Sequence, residues 1–492
     1  LLDSDVVADW RFYGRQDELE QVRKILARGR WFFANISGRR RIGKTTLIQR
    51  ALEGRADRTF YVQIPDSAPS GVLSAFGDAL ETFGIPASTV AVPNTPLGFA
   101  HAIRALVQAG YVVALDEFQY FNRKVLFDFT SHLQAVVDEL SRTADRVRGG
   151  LFVLGSVETE MAALLEDRRA PLFNRVTDHV LLDHLDIGSV IDILRAHADP
   201  NPERLLFLWN LFEGVPKFYR DCFEQSVLAA DRATLLAQMF FRSSSPLRHE
   251  ADNWFLHELR GRYDVVLKFI ARTPGCTNGE LDEHVRQASP ESQEQTAGYV
   301  KILADRYRMI ERRLPIFARQ KERKGRYYIR DNFLRSWLAA LAQPASAVNF
   351  RRVEDLVAQA DERLRDAEGY GLERLVAQIY EERSRKGLGD FPLTERIDGY
   401  WDKAGTEIDL VAVNDDQRVI RFGSCKRTAE KLLRGLAGDE AHIARFLEAL
   451  PKYKHYRVER AAIAPALTPA QADAAHTRGW IPQDLNTLTQ GL

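Results

Sequence analysis

An α/β fold built on a parallel sheet is the class that the first part of this chain predicts, and three observations predict it. An apolar run of strand length, residues 31–36, feeds into Gly38-Arg-Arg-Arg-Ile-Gly43-Lys44-Thr45 and then into a helical pattern that opens at Thr46. A second apolar run, residues 111–118, ends in the acid pair Asp116-Glu117. Around these two runs, strand-like and helical stretches alternate. That order builds a parallel sheet covered on both faces, with ligands at the carboxyl ends of its strands.

The glycine-rich turn carries the most chemistry. Between a strand and a helix, G-x-x-x-x-G-K-T reads as a phosphate loop. Gly38, Arg39, Arg40, Arg41, Ile42, Gly43, Lys44, Thr45 and Thr46 would form it. Its glycines let consecutive backbone N–H groups face one anion, and the helix N-terminus adds partial positive charge. Lys44 is expected to reach the β- and γ-phosphates of ATP, and the Thr45 hydroxyl to ligate Mg²⁺.

Composition sets the limits. The 492 residues suffice for about three domains, each with its own core. Hydrophobic residues at 45 % and charged residues at 28 % are those of a globular chain. Lys and Arg number 68, as do Asp and Glu, so a nucleic-acid contact has to come from a local patch. Cys222, Cys276 and Cys425 are widely spaced and form no C-x-x-C pair, which argues against a disulfide framework or a zinc site. No apolar run has the length of a membrane span and the N-terminus lacks a basic leader, so a cytoplasmic protein with no membrane partner is expected.

In chain order, Phe12-Tyr13-Gly14-Arg15-Gln16-Asp17-Glu18-Leu19 opens an amphipathic helix, with acids in its first turn. Phe12 and Tyr13 are candidates for a wall of the adenine pocket. Residues 59–64 read as a strand, followed by helices over 71–83 and 97–109 with a Pro-rich turn between them. Asp116 at a strand's end suits the Mg²⁺ shell, and Glu117 suits orienting and deprotonating the attacking water. Residues 150–155 form another buried strand, whose tip, Ser156, is a candidate γ-phosphate sensor. Pro171-Leu-Phe-Asn-Arg175 then precedes a strand over 178–182.

F-x-G-R-x-x-E-L, the phosphate loop, L-D-E-F, V-L-G-S and P-L-F-x-R, in this order, resemble the archaeal-type ATPases of the AAA+/STAND branch of P-loop proteins. The resemblance implies an ATPase core over 10–185 and a helical lid over 186–259. Gly214-Val-Pro-Lys217 resembles the lid's hinge, which brings Lys217 toward phosphate. The resemblance also implies an arginine near nucleotide at Arg175, although Asn174 stands where the family has Gly.

Residues 263–271, 278–287 and 290–307 read as three short helices, and 309–317 and 325–330 as two strand-like runs joined by a charged tip. Three helices and a two-stranded wing predict a winged helix-turn-helix over 260–343. Arg312, Arg313, Arg323, Lys324 and Arg326 make the wing basic, which suits contacts to DNA phosphates. Residues 327–337 resemble the segment that follows the winged helix in the same family.

A linker is expected over 344–368 and a last domain over 369–492, opening on a helix at Gly369. Strands follow over 395–401, 406–413 and 418–426, then a helix over 442–450 and a strand over 461–466. This α-β-β-β-α-β order resembles the PD-(D/E)XK nuclease core. The resemblance implies a site of Glu373, Asp409 and Lys426. Glu407 shares Asp409's face because strand side chains two apart point the same way. Ser424 stands where relatives carry a carboxylate, which removes a charge and a ligand from any Mg²⁺ site.

The function expected from these readings is an ATP-driven, DNA-associated molecular switch, with ATP or ADP and Mg²⁺ as cofactors and self-association allowed. The alternative is a STAND-type signalling regulator that exchanges nucleotide and cuts nothing.

Overall fold

The computed structural model describes residues 9–55, 58–156, 158–250, 263–288, 296–319, 322 and 324–492. The chain divides into two compact units, Gly14–His184 with Val215–Lys217, and Leu185–Gly214 with Phe218–Leu492 and the residues up to Tyr13.

The first unit runs α1 (Gln16–Ala27), β1 (Phe33–Gly38), α2 (Lys44–Leu52), β2 (Thr59–Gln63), α3 (Pro69–Thr82), α4 (Pro96–Gln108), β3 (Val112–Asp116), α5 (Phe127–Arg142), β4 (Gly150–Gly155), α6 (Glu158–Leu165) and β5 (Asp178–Leu182). Its strands pair in parallel in the order β2-β3-β4-β1-β5. The α/β parallel core expected from the sequence is therefore present. β3 and β4 are buried along their whole length, which is why they read as unbroken apolar runs. Helices α3 and α4 start on prolines, where the missing N–H costs nothing. They cover one face of the sheet through Phe60, Phe76, Phe99 and Phe129, whose rings meet edge to face or tilted. The order also sets the chemistry. β4 lies between the phosphate-loop strand β1 and the acid-bearing strand β3, so Ser156 leaves the sheet between them.

The second unit begins with α7 (Ile187–His197), α8 (Pro202–Phe212), α9 (Pro216–Glu224, whose first residues belong to the first unit) and α10 (Arg232–Leu236). Three helices follow, α11 (Tyr263–Arg272), α12 (Asn278–Ala288) and α13 (Thr296–Lys301). An antiparallel hairpin of β6 (Ile310–Arg313) and β7 (Arg326–Ile329) comes next. After α14 (Asn332–Ser336) and α15 (Ala342–Ser346) comes α16 (Val353–Arg385), a single helix of 33 residues. The chain then forms β8 (Asp398–Trp401), β9 (Glu407–Asn414), β10 (Val419–Cys425), α17 (Ala429–Ala449), β11 (Arg457–Ala464), α18 (Pro469–Thr477), β12 (Ile481–Asp484) and α19 (Leu485–Leu488). The sheet order is β12-β11-β10-β9-β8, antiparallel from β8 to β10 and parallel from β10 to β12.

Two expectations about this unit need correction. The helix expected to open at Gly369 starts sixteen residues earlier, at Val353, so α16 runs without a break from the later part of the expected 344–368 linker into the last domain. Gly371 is a packing position: a Cβ there would lie 2.1 Å from Asn210 Oδ1. Glu368, fully buried one residue before Gly369, receives Arg232 Nη1 at 2.5 Å and Arg427 Nε at 2.8 Å. The helix expected over 442–450 starts earlier, where the Thr428 side chain caps Lys431.

Candidate nucleotide site and C-terminal carboxylate cluster

The phosphate loop joins β1 to α2, and its backbone explains its glycines. Gly38 has φ +151°, and a Cβ there would stand 2.3 Å from the Leu182 carbonyl on β5. Gly43 caps α2 at φ +99°, in the left-handed region that glycine enters freely. Arg41 occupies that region without being glycine, at φ +65°. Ile42, 1 % exposed, anchors the loop in the core, while Arg40 and Thr46 face solvent and Arg39 is half-buried. Beneath the loop, the Arg15 guanidinium donates to the carbonyls of Ile42 and Asp183. Val215–Lys217 return to this unit, and the Pro216 ring lies 3.9 Å from where a Gly43 Cβ would be. Lys217 beside it is half-buried.

Lys44 is buried, and its Nζ donates to the carbonyls of Gly38 and Arg39, each at 3.0 Å. Burial pulls its ammonium down to about 8. Thr45 Oγ1 donates to Asp116 Oδ2 at 2.6 Å, so the hydroxyl and the carboxylate that could share a Mg²⁺ ion already converge. Asp116, 4 % exposed, also accepts from the Tyr61 hydroxyl at 2.8 Å and from the Glu117 N–H at 2.8 Å. Burial, then the Asp116 charge, push the Tyr61 hydroxyl up, so it remains a donor. Glu117 itself has φ +55°, uncommon for a non-glycine residue, and its carboxylate accepts from Gln119 Nε2. The Ser156 N–H donates to Gln119 Oε1 at 3.2 Å. Arg15, Tyr61 and Gln119 were not read as site residues from the sequence. Arg15 left a trace as the arginine of the F-x-G-R motif, and Gln119 left one as the residue two positions after the acid.

Two expected nucleotide contacts are engaged elsewhere. Arg175 pairs with Asp138 on α5 through Nε at 2.7 Å and Nη2 at 3.0 Å, and its Nη1 donates to the Phe173 carbonyl at 3.0 Å. Asn174 has φ +56°, in the left-handed region that glycine enters freely and Asn tolerates. Phe12 and Tyr13 belong to the second unit, where the Tyr13 hydroxyl lies 2.6 Å from His197 Nε2 and Trp10 stacks on the same imidazole. The polar edge of Tyr13 is thus bonded to protein rather than open to a base.

In the C-terminal sheet, Asp409 Oδ2 accepts from Lys426 Nζ at 2.6 Å and from the Cys425 N–H at 2.8 Å. Burial raises the Asp409 carboxyl, and the lysine opposes that. Burial and then the charge of Asp409 raise Glu373 well above the usual carboxylate range. Ser424 is buried, and its hydroxyl donates to Asp439 Oδ2 at 2.7 Å. Asp439 lies on α17 and was missed in the sequence, because nothing local aligns it with a strand residue fifteen positions away. Glu407 turns from the cluster to Arg326 at 2.6 Å. Among the described residues, no group of three or more His, Cys, Asp or Glu side chains is arranged to hold a metal ion.

The hairpin cations described in the structure have partners within the chain. Arg326 pairs with Glu407 and lies over the Trp401 ring at 4.8 Å. Lys324 pairs with Glu322 at 2.9 Å. Arg313 bonds Glu311 at 2.7 Å and stacks on Tyr328, and Arg312 donates to the Glu322 carbonyl at 2.8 Å. Arg323 lies outside the described residues. The hairpin also docks through its connecting loop. The Ile316 N–H donates to Gly399 on β8 at 2.9 Å, and the Ile316 side chain is buried in the C-terminal core. A loop bonded to β8 shields an edge strand from pairing with other chains.

The loop, its lysine, the Thr45–Asp116 pair and the following acid define a P-loop nucleotide site. Residues 12–218 match the family described as an ATPase domain predominantly from Archaea, which supports a P-loop ATPase core in this part of the chain. Residues 337–435 match a second family, described as archaeal and bacterial proteins of unknown function. The uncharacterized protein MJECL04 of Methanocaldococcus jannaschii is 25 % identical over 441 residues, which span 86 % of this chain and 91 % of that one. Among solved structures, the Walker-type ATPase PABY2304 of Pyrococcus abyssi is similar at a TM-score of 0.49 and 15 % identity, over 66 % of this chain and 96 % of its own. The ORC2 protein of Aeropyrum pernix, solved in ADPNP and ADP complexes, is similar at 0.45 and 17 % identity, over 74 % and 97 %. Among the described residues, no helix is long and apolar enough to cross a membrane.

Proposed function

We propose that the chain is an ATP-hydrolysing molecular switch whose second unit is a winged helix seated on a nuclease-like domain that associates with DNA. The observation that carries the reading is the approach of Thr45 Oγ1 to Asp116 Oδ2 at 2.6 Å, with Glu117 next in the chain. In this reading the loop N–H groups and Lys44 cradle the phosphates, and Thr45 and Asp116 would hold a Mg²⁺ ion that offsets phosphate charge. Glu117 accepts the proton of the attacking water. Ser156, between the two strands, contacts the γ-phosphate. Three helices followed by a hairpin support the winged helix. The order α16-β8-β9-β10-α17-β11, with Asp409 facing Lys426, supports the nuclease-like domain.

A regulator of the STAND type that cuts nothing is the second reading, favoured by the closed Asp409–Lys426 pair and by a serine at 424. ATP turnover measured with and without duplex DNA separates the two. DNA-stimulated turnover supports the first, whereas slow turnover with tightly held ADP and no DNA binding supports the second.

A further inference from the structure

We propose that Gln119 is a positioning residue for ATP hydrolysis, which aims the Glu117 carboxylate and ties it to the tip of β4. The inference rests on the ATPase reading above and extends it to a residue that the phosphate-loop signature does not include.

Gln119 lies in the short turn Phe118–Asn122 that follows β3 and is 3 % exposed. Its two amide atoms have different partners. The Ser156 N–H can only donate, so the atom 3.2 Å from it is the acceptor, Oε1. That leaves Nε2, a donor, on Glu117 Oε2, an acceptor. Flipping the amide would break both bonds at once, so the side chain has one orientation.

Glu117 needs such a restraint. Its backbone sits at φ +55°, with its own N–H fixed on Asp116 Oδ1 at 2.8 Å. That locks the main chain but leaves the carboxylate free to swing about its side-chain torsions. Gln119 removes the freedom by gripping one carboxylate oxygen, which leaves the other to receive a proton from water. The grip is anchored on β4, which pairs with β1 and β3. The proton acceptor is therefore held in register with both the phosphate-loop strand and the Asp116 strand. A general base displaced by about 1 Å loses on the order of a hundredfold in rate, while substrate binding is untouched.

Two replacements test this in the full chain. Gln119→Met keeps the length and apolar burial but has no donor. Gln119→Glu keeps the shape but sets a second carboxylate against Glu117. Both should lower kcat on the order of 10- to 100-fold and leave the dissociation constant for ATP within about twofold of wild type. The Glu117→Gln background separates positioning from general support: adding Gln119→Met there should not lower the residual single-turnover rate further, because the two residues act as one unit. An unchanged kcat in either variant overturns the proposal. So does a loss of ATP affinity parallel to the loss of kcat, or an undiminished effect of Gln119→Met on the Glu117→Gln background. A wild-type protein that turns over no ATP would overturn the ATPase reading and this inference with it, whereas turnover that Gln119→Met leaves intact overturns the inference alone.

Discussion

Replacing Lys44 by Met should change how the stability of the nucleotide-free protein depends on pH. Burial draws the Lys44 ammonium from the ordinary 10.5 down to about 8, with the charges of Glu117 and Asp116 opposing the effect. The unfolded chain keeps this proton up to 10.5 and the folded chain releases it near 8. Between those values the unfolded state binds more protons, so stability rises with pH. At about 1.4 kcal/mol per pH unit, the whole window is worth about 3 kcal/mol, of which about 2 kcal/mol falls between about pH 7 and about pH 9.5. Methionine carries no proton and lacks this term. Urea unfolding of both proteins across that range, without nucleotide, should show wild type gaining about 2 kcal/mol relative to Lys44→Met. With saturating Mg·ATP the phosphates hold the ammonium charged, and the gain should vanish. Parallel curves for the two nucleotide-free proteins would refute a buried ammonium waiting for its anion.

Gly38→Ala should cost roughly 2–4 kcal/mol, because its Cβ would stand 2.3 Å from the Leu182 carbonyl. Gly43→Ala, which meets nothing nearer than 3.9 Å, should cost only the roughly 1–2 kcal/mol of a left-handed residue; thermal unfolding of both checks the order. Removing Lys324 and Arg326 together should leave the dependence of log DNA affinity on log salt unchanged, since both already face acids of the same chain. A decrease of about 0.9 in that slope per lost contact would show that the hairpin does meet phosphate. Ser424→Glu adds a carboxylate beside Asp409 and Asp439. It should lower the melting temperature without divalent metal, recover it with Mn²⁺ more readily than with Mg²⁺, and give metal-dependent plasmid cleavage that wild type lacks. Strong wild-type cleavage that Asp409→Ala abolishes would contradict this.

The ATPase core was legible because its signals are local. A loop whose glycines answer to backbone geometry, and strands buried on both faces, leave marks within a few residues. What the sequence hid depends on partners far along the chain. Arg326 reads as a free wing cation until Glu407, 81 positions on, is folded beside it. Arg175 reads as a nucleotide ligand from its motif alone, and its partner Asp138, 37 positions back, is invisible there. Gly369 and Gly371 imitate a helix start, yet Gly371 exists to admit the side chain of Asn210. Asp439 faces Ser424 only because α17 crosses β10 at that point. Gln119 lies between these cases. Its spacing from Glu117 is visible, but its meaning needs β4 to be inserted between β1 and β3.

Phosphate release and nucleotide binding, measured together for wild type, Lys44→Ala and Glu117→Gln, test the central claim most directly. The account predicts that wild type hydrolyses ATP and that Lys44→Ala fails to bind it. Glu117→Gln should bind ATP with wild-type affinity and cleave it orders of magnitude more slowly, because an amide cannot take the water's proton. An equal loss of ATP affinity in both variants, or hydrolysis near the wild-type rate in Glu117→Gln, would contradict the account.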